Sequence, residues 1–169
     1  MMRQKNKPEQ PLTLQSLERS ALWHLSRRAL SVSQLRVLLD KKAKRAAAEH
    51  GLHPEAQGWI ESLLVRLQGS LLLDDARVAA ARASSLRHGG RSARLIEMKL
   101  RAKGIDQATA RAAVERIDEG TDDPELVAAR EFVRRRRLAD KDGQKALAAL
   151  ARQGFSFAIA RRALTADGE

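Results

Sequence analysis

The chain repeats itself at a distance of 50 residues, and this periodicity limits what it can fold into. Leu100 falls on Leu150, Gly104 on Gly154 and Ile105 on Phe155. Ala108-Thr109-Ala110-Arg111 falls on Ala158-Ile159-Ala160-Arg161, Ala113 on Ala163 and Val114 on Leu164; upstream, Asp75 and Ala79 fall on Glu125 and Ala129. The repeating unit is a pair of helices joined at a glycine that is followed at once by an apolar residue. Glycine accepts the left-handed conformation that ends a helix, and the apolar residue after it folds back on the helix just completed. A more distant copy appears at a shift of 61: Leu25 meets Leu86, Ser31 meets Ser92, Leu35 meets Ile96, Leu39 meets Leu100 and Lys42 meets Lys103. That copy carries about ten extra residues before Gly51-Leu52.

The residues that fill the repeats are helix formers. Ala, Leu, Arg, Lys, Glu and Gln dominate, Tyr is absent, and three Phe and two Trp are the only aromatic residues. The expected fold is all-α: about nine helices in three tandem three-helix repeats, stacked into an elongated body open to curvature. The boundaries read as a polar, disordered tail over 1–11 and repeats over 12–70, 71–120 and 121–165. A repeat of this size buries little core alone, so neighbours are expected to share packing.

Local signals place the helices. The first runs from Leu14 to Leu30, with Leu14, Leu17, Ala21, Leu22 and Leu25 on one face. Ser31 to Gln34 is a capping box that opens the second, followed by the basic, Ala-rich linker KKAKRAAAEHG. His53-Pro54 opens the third, with the proline at an early helical position and Ile60, Leu63, Leu64 and Leu67 as its stripe. Asp74-Asp75 starts the fourth, which ends at Gly89-Gly90, and the fifth and sixth close at Gly104 and Gly120. Asp122-Asp123-Pro124 starts the seventh, and GQKALAALARQG and FSFAIARRAL supply the last two.

Charge narrows the function. The formal charge is +11, and residues 1–50 hold 11 basic groups against 4 acidic ones. Such an excess points to a polyanionic partner. The absence of cysteine excludes disulfides, thiolate nucleophiles and Cys-based zinc sites. No apolar run approaches the ~20 residues that cross a bilayer, and MMRQKNKPEQP lacks the apolar stretch of a secretory signal, so a cytoplasmic location is expected.

No catalytic motif stands out. Gly89-Gly90 reads as a turn and not a phosphate loop, since no Gly-Lys-Ser/Thr follows. His50 and His53 lie three apart without a supporting ligand cluster and read as surface or capping residues. The Asp74-Asp75 and Asp122-Asp123 pairs read as helix caps. No metal, cofactor or small-molecule substrate is expected. Trp23 and Trp59 offer rings that could stack on bases, but both sit in amphipathic helices and are expected in the core, and with so few aromatic residues a base-stacking platform for single strands is not expected.

Basic clusters are the candidates for contact. Arg130, Arg134 and Arg137 recur at helical spacing and form one stripe, from which Arg135 and Arg136 point away. Arg87, His88, Arg91 and Arg94 surround the central glycine turn, and Arg101 and Lys103 end the helix after it. Lys41, Lys42, Lys44 and Arg45 form the basic segment of the first repeat. A solvated helix face is the alternative for each.

Three stretches resemble the RecX family. SVSQLRVLL is similar to its Ser-x-x-(Glu/Gln)-Leu opening, and LLLDDARVAAARASSLRHGGRSARLIEMKLRAKGI resembles its central signature of Asp-Asp, glycine turn and Leu-x-x-Lys-Gly-Ile. LARQGFSFAIARRAL resembles its terminal Arg-x-Gly-(Phe/Tyr) unit, so the likeness runs from about residue 14 to 165. Val78 departs from the pattern, where the family usually carries an aromatic residue. The resemblance implies a non-enzymatic regulator that binds the RecA nucleoprotein filament. It implies inhibition of RecA ATPase, strand exchange and co-protease activity, and sequence-nonspecific binding of single- and double-stranded DNA. Charge and small helical units also suit a stand-alone nonspecific nucleic-acid-binding module.

Overall fold

A computed structural model describes residues 11–165, which form nine α-helices and no strand. In chain order they are α1 (Leu14–Arg27), α2 (Val32–His50), α3 (Ala56–Gly69), α4 (Asp75–His88), α5 (Ala93–Arg101), α6 (Gln107–Asp118), α7 (Pro124–Arg136), α8 (Gly143–Arg152) and α9 (Phe157–Thr165). The expected all-α fold is therefore observed. The tail expected over 1–11 lies outside the described residues except for Pro11, which is exposed.

Most of the helices start where the sequence offers a side-chain oxygen to orphan N–H groups, whereas α3, behind Glu55, starts without a side-chain cap. Thr13 caps α1 through the N–H of Ser16 (3.1 Å). Ser31 caps α2 through the N–H of Gln34 (3.2 Å), while the Gln34 side chain accepts the N–H of Ser31 (3.3 Å), completing the expected box. The repeat-equivalent Ser92 accepts the N–H of Leu95 (3.2 Å), and both cap serines are buried. Fifty residues on, Asp142 accepts from Gln144 and Lys145, and Asp106 and Ser156 make the same pair of caps for α6 and α9. Asp123 accepts from Leu126 (3.4 Å) with Pro124 at the first helical position.

The predicted glycine turns are present. At the end of α5, Gly104 has φ +77°, and the N–H of Ile105 reaches back to the carbonyl of Leu100 (3.3 Å). At the end of α8, Gly154 has φ +88°, and Phe155 makes the same bond to Leu150 (3.3 Å). Ile105 and Phe155 are buried, each folded against the helix it follows.

Four local readings need correction. α1 stops at Arg27, so Leu30 is buried outside it, and Leu14 and Leu22 lie exposed while Leu17 and Ala21 alone on that helix are fully buried. Pro54 precedes α3, which starts at Ala56. The basic linker is not a linker, because its residues continue α2 as helix to His50. Lys, Arg and Ala are good helix formers, and buried Ala46 gives the extension a face on the core. Arg137 leaves the helix: with φ +49° it is the left-handed residue that ends α7, and Leu138 bonds back to Val133 (3.0 Å).

The chain divides into two compact units, one up to Asp74 and one from Asp75. In the first, α1, α2 and α3 enclose one core around Leu17, Leu35, Leu39, Ile60, Leu63 and Leu64. The second holds two three-helix groups. α4, α5 and α6 bury Val78, Ala79, Ile96, Leu100 and Ala110. α7, α8 and α9 bury Ala129, Phe132, Val133, Leu150 and Ala160.

Those two groups interlock. Arg87, near the end of α4, donates from Nε and Nη2 to Asp118 at the end of α6. Its Nη1 donates to Glu125 in the first turn of α7 (2.8 Å) and to the carbonyl of Arg91 (3.0 Å). The same Glu125 oxygen accepts the N–H of Ala93 at the start of α5 (2.7 Å). The Arg87 side chain is 12% exposed, and burial works against its charge. Its hydrogen bonds to Asp118 and Glu125 and their charges more than offset this, and hold its pKa above the ordinary value. Arg87 was expected to face a partner; its guanidinium is instead spent on the interior of this unit. Beside it, the backbone of Gly90 (φ +70°) rests on Phe132 so closely that an added Cβ would lie 2.8 Å from the Phe132 Cβ.

Two stability predictions follow from this joint. Gly120 also has a positive φ (+74°) but faces open space. Gly120→Ala should cost about 1–2 kcal/mol of backbone strain alone. Gly90→Ala should cost that plus roughly 1–3 kcal/mol of overpacking against Phe132. Equal losses for the two in urea unfolding of the whole chain would show that the Phe132 contact yields freely. Arg87→Ala should lose about 3 kcal/mol, near the lower bound for breaking a buried pair, since Asp118 and Glu125 keep some water contact. A loss under ~1 kcal/mol in the same assay would place the pair among ordinary surface bridges.

Candidate nucleic-acid interface

The turn that follows α8 borders a basic concavity of the second unit. Gly154 has no Cβ, and the chain there lies against Ser92 and Leu95. The N–H of Ser92 donates to the carbonyl of Gln153 (3.1 Å), which ties the start of α5 to the end of α8. Between these helices runs an open groove of ≈ 680 Å³. Arg94 and Arg101, seven residues apart on α5, share its rim with Arg152 at the end of α8, and Glu97 is its one acidic residue. Met98, Leu95 and Phe155 add apolar floor and wall. Arg94, Arg101 and Arg152 are exposed and make no ion pair among the described residues. Three cations around one carboxylate suit a phosphate or an acidic surface.

The structure thus brings together two of the predicted contact residues, Arg94 and Arg101, and adds Arg152, which the sequence reading missed. The repeat offered no pointer to it, since Arg152 aligns with Ala102. A weak signal existed in its position: a cation in the last helical turn, two residues before a left-handed glycine.

The other candidates fall elsewhere. Arg91 folds back on its own turn and donates to the carbonyl of Gly89 (3.2 Å). Lys103 is exposed after α5. On α7, Arg130 and Arg134 are exposed on the helix, but Arg137 is beyond its end, so the stripe of three is broken. Arg134 is also engaged, donating from Nε and Nη2 to Glu131 (2.9 and 2.8 Å). Arg135 donates to the same carboxylate (2.5 Å) and to the carbonyl of His88. Hydrogen bonds from Arg134 and then Arg135 pull the pKa of Glu131 down to about 2.

In the first unit, Lys41, Lys44 and Arg45 lie exposed on the extension of α2, with Lys42 half-buried beside them. His53 serves the start of α3, where its Nδ1 accepts the N–H of Glu55 (3.2 Å), and its ring packs on Trp59 at 4.2 Å between centroids. Trp59 is partly buried against the core, as expected. Trp23 is not: it is 53% exposed on α1, with the Arg27 guanidinium 4.6 Å above its ring and the edge of His24 against it. Burial, and after it the charge of Arg28, lower the pKa of His24. Phe157 on α9 is likewise exposed, with Arg161 at 5.9 Å. Among the described residues no three His, Asp or Glu side chains gather as a metal site, and no helix is long and apolar enough to cross a membrane.

Comparison with known proteins fits this architecture. The family profile described as "RecX, second three-helix domain" matches residues 74–114, the stretch from the start of α4 into α6. The fold is similar to the crystal structure of RecX from Lactobacillus salivarius, with a TM-score of 0.67 over 90% of this chain and 95% of that one at 18% identity. Among curated proteins, the chain is 30% identical over 158 residues to the Regulatory protein RecX of Agrobacterium fabrum, covering 89% of this chain and 82% of that one. It is 36% identical over 162 residues to the Regulatory protein RecX of Myxococcus xanthus, covering 89% of this chain and 85% of that protein. At 36% identity over 89% of its length to one such protein, the chain belongs to the RecX family of regulatory proteins.

Proposed function

We propose that this protein regulates the RecA recombinase by binding its filament on DNA and restraining it. In this reading it limits RecA ATP hydrolysis, strand exchange and co-protease activity in recombination, DNA repair and the SOS response, and it works in the cytoplasm. The observation that carries the reading is the 36% identity to a regulatory protein RecX across 89% of the chain. The +11 charge and the arginine-rimmed groove support a nucleoprotein partner. The protein acts by binding, without catalysis, cofactor, small-molecule substrate or membrane. Its working parts are three helical repeats over 12–70, 71–120 and 121–165.

Contact is assigned first to Arg94, Arg101 and Arg152, and next to Lys41, Lys44 and Arg45, which face solvent on α2. Arg130 and Lys103 remain further candidates. A stand-alone nonspecific nucleic-acid binder is the second reading, favoured by the same charge. RecA ATPase on single-stranded DNA separates the two: inhibition by a filament binder persists in a large excess of DNA, and inhibition by a DNA competitor disappears.

Replacing Arg94, Arg101 and Arg152 together by Gln preserves helix propensity and should leave the fold intact. DNA affinity should fall, and the slope of log affinity against log salt should become shallower by about 2, at 0.7–0.9 for each lost phosphate contact. RecA inhibition should weaken in parallel. The same replacement at Arg130, Arg134 and Arg137 should do less, because Glu131 already engages Arg134. Equal salt slopes for wild type and the groove variant would remove the groove from the interface.

A further inference from the structure

We propose that Trp23 is a base-stacking station for single-stranded nucleic acid. This deepens the nucleic-acid part of the proposed function and rests on it. α1 turns Leu17 and Ala21 inward, which leaves Arg19, Leu22, Trp23, Ser26 and Arg27 together on its exposed side. Those five positions recur at three and four residues, so they form one stripe along the helix. Both Leu22 and Trp23 are exposed, at 45% and 53%, in a chain with only two tryptophans. The other, Trp59, packs against the core.

The chemistry of the stripe selects the ligand. The indole offers a flat π surface, and Leu22 widens the apolar patch beside it. Its charges, Arg19 and Arg27, are positive and lie one turn either side of Trp23. The one carboxylate within α1, Glu18, is turned to Arg66 of α3 at 2.6 Å. The Arg27 guanidinium, 4.6 Å over the ring, and the edge of His24 hold the indole in place. A flat aromatic base flanked by phosphates matches this pattern, and stacking is blind to sequence because every base has a π face. Bases in a duplex are already stacked on one another, so the station is specific for single strands. An apolar protein surface would meet Leu22 and Trp23 but would offer no counter-charge to Arg19 and Arg27.

The test uses the full chain and a 20-residue dT oligonucleotide. The oligonucleotide should quench tryptophan fluorescence of the wild type, and Trp23→Phe should abolish the quench while affinity stays within about threefold, because a π face remains. Trp23→Leu, apolar but without that face, should bind the oligonucleotide about 5–150-fold more weakly, the equivalent of ~1–3 kcal/mol for one stacked base, and bind duplex DNA as wild type does. Arg19→Gln with Arg27→Gln should flatten the single-strand salt dependence by about 1.4. Undiminished oligonucleotide binding by Trp23→Leu, or a quench that survives in Trp23→Phe, overturns the inference and leaves the proposed function standing. The inference also falls if Trp23→Leu weakens RecA inhibition while its oligonucleotide affinity is unchanged, which would mark the stripe as a protein contact. Failure of the wild type to bind either DNA removes both.

Discussion

One guanidinium holds the second unit together. Arg87 joins the end of α6, through Asp118, to the first turn of α7, through Glu125, and Glu125 in turn receives the N–H of Ala93 at the start of α5. A cation taken from water pays a desolvation cost that only well-placed partners offset. Here the planar fork of arginine meets two carboxylates and a backbone carbonyl at once, a fit that lysine, with a compact charge and no fork, could not reproduce. The groove depends on this arrangement. Arg94 and Arg101 sit on α5, and α5 is held at its start by Glu125 and by the Ser92–Gln153 bond to the end of α8. The residue that looked like a phosphate ligand is therefore what positions the residues that can be.

Much of the frame was legible because it is written in local chemistry. The cap serines Ser31 and Ser92, and the glycine turns at Gly104 and Gly154, follow from hydrogen bonds a few residues long and from the steric freedom of one residue type. Repetition multiplied those signals: Leu39, Leu100 and Leu150 occupy equivalent places and all three are fully buried. What the sequence concealed depends on neighbours. Periodicity gives α1 an apolar face, but α2 and α3 decide how wide a stripe they cover, and they cover Leu17 and Ala21 and leave Leu22 and Trp23 outside. Charge misled in the opposite direction on α2. A dense basic run looks like solvated linker, yet Ala43 and Ala46 give it a narrow apolar edge on the core, enough to continue the helix to His50.

The arginine run of α7 shows why counting cations is a poor guide to a site. A single carboxylate, Glu131, takes both Arg134 and Arg135, whose hydrogen bonds lower its pKa to about 2. Two residues after Arg135 the helix ends on Arg137 in a left-handed conformation, which costs an ordinary side chain roughly 1–2 kcal/mol relative to glycine. Helical spacing cannot be extrapolated across such a residue. The groove arginines differ because α5 lacks acidic residues within reach of them other than Glu97, and because Arg152 arrives from another helix, a proximity that no spacing in the sequence records.

Scale then decides what such a surface can do alone. A protein that makes six to ten phosphate contacts loses ~10³–10⁵ in affinity between low and moderate salt, and three arginines account for only a fraction of that dependence. Electrostatics of this strength does not by itself choose among polyanions. Discrimination has to come from contacts that salt does not screen: apolar area, shape and stacking. In the groove, Met98 and Phe155 line the same concavity as the arginines and supply such area. On α1, Leu22 and Trp23 lie between Arg19 and Arg27 in the same way. Both units thus set apolar side chains beside a pair or trio of guanidinium groups, and in the proposed reading charge brings a partner close while the uncharged surface determines which partner stays.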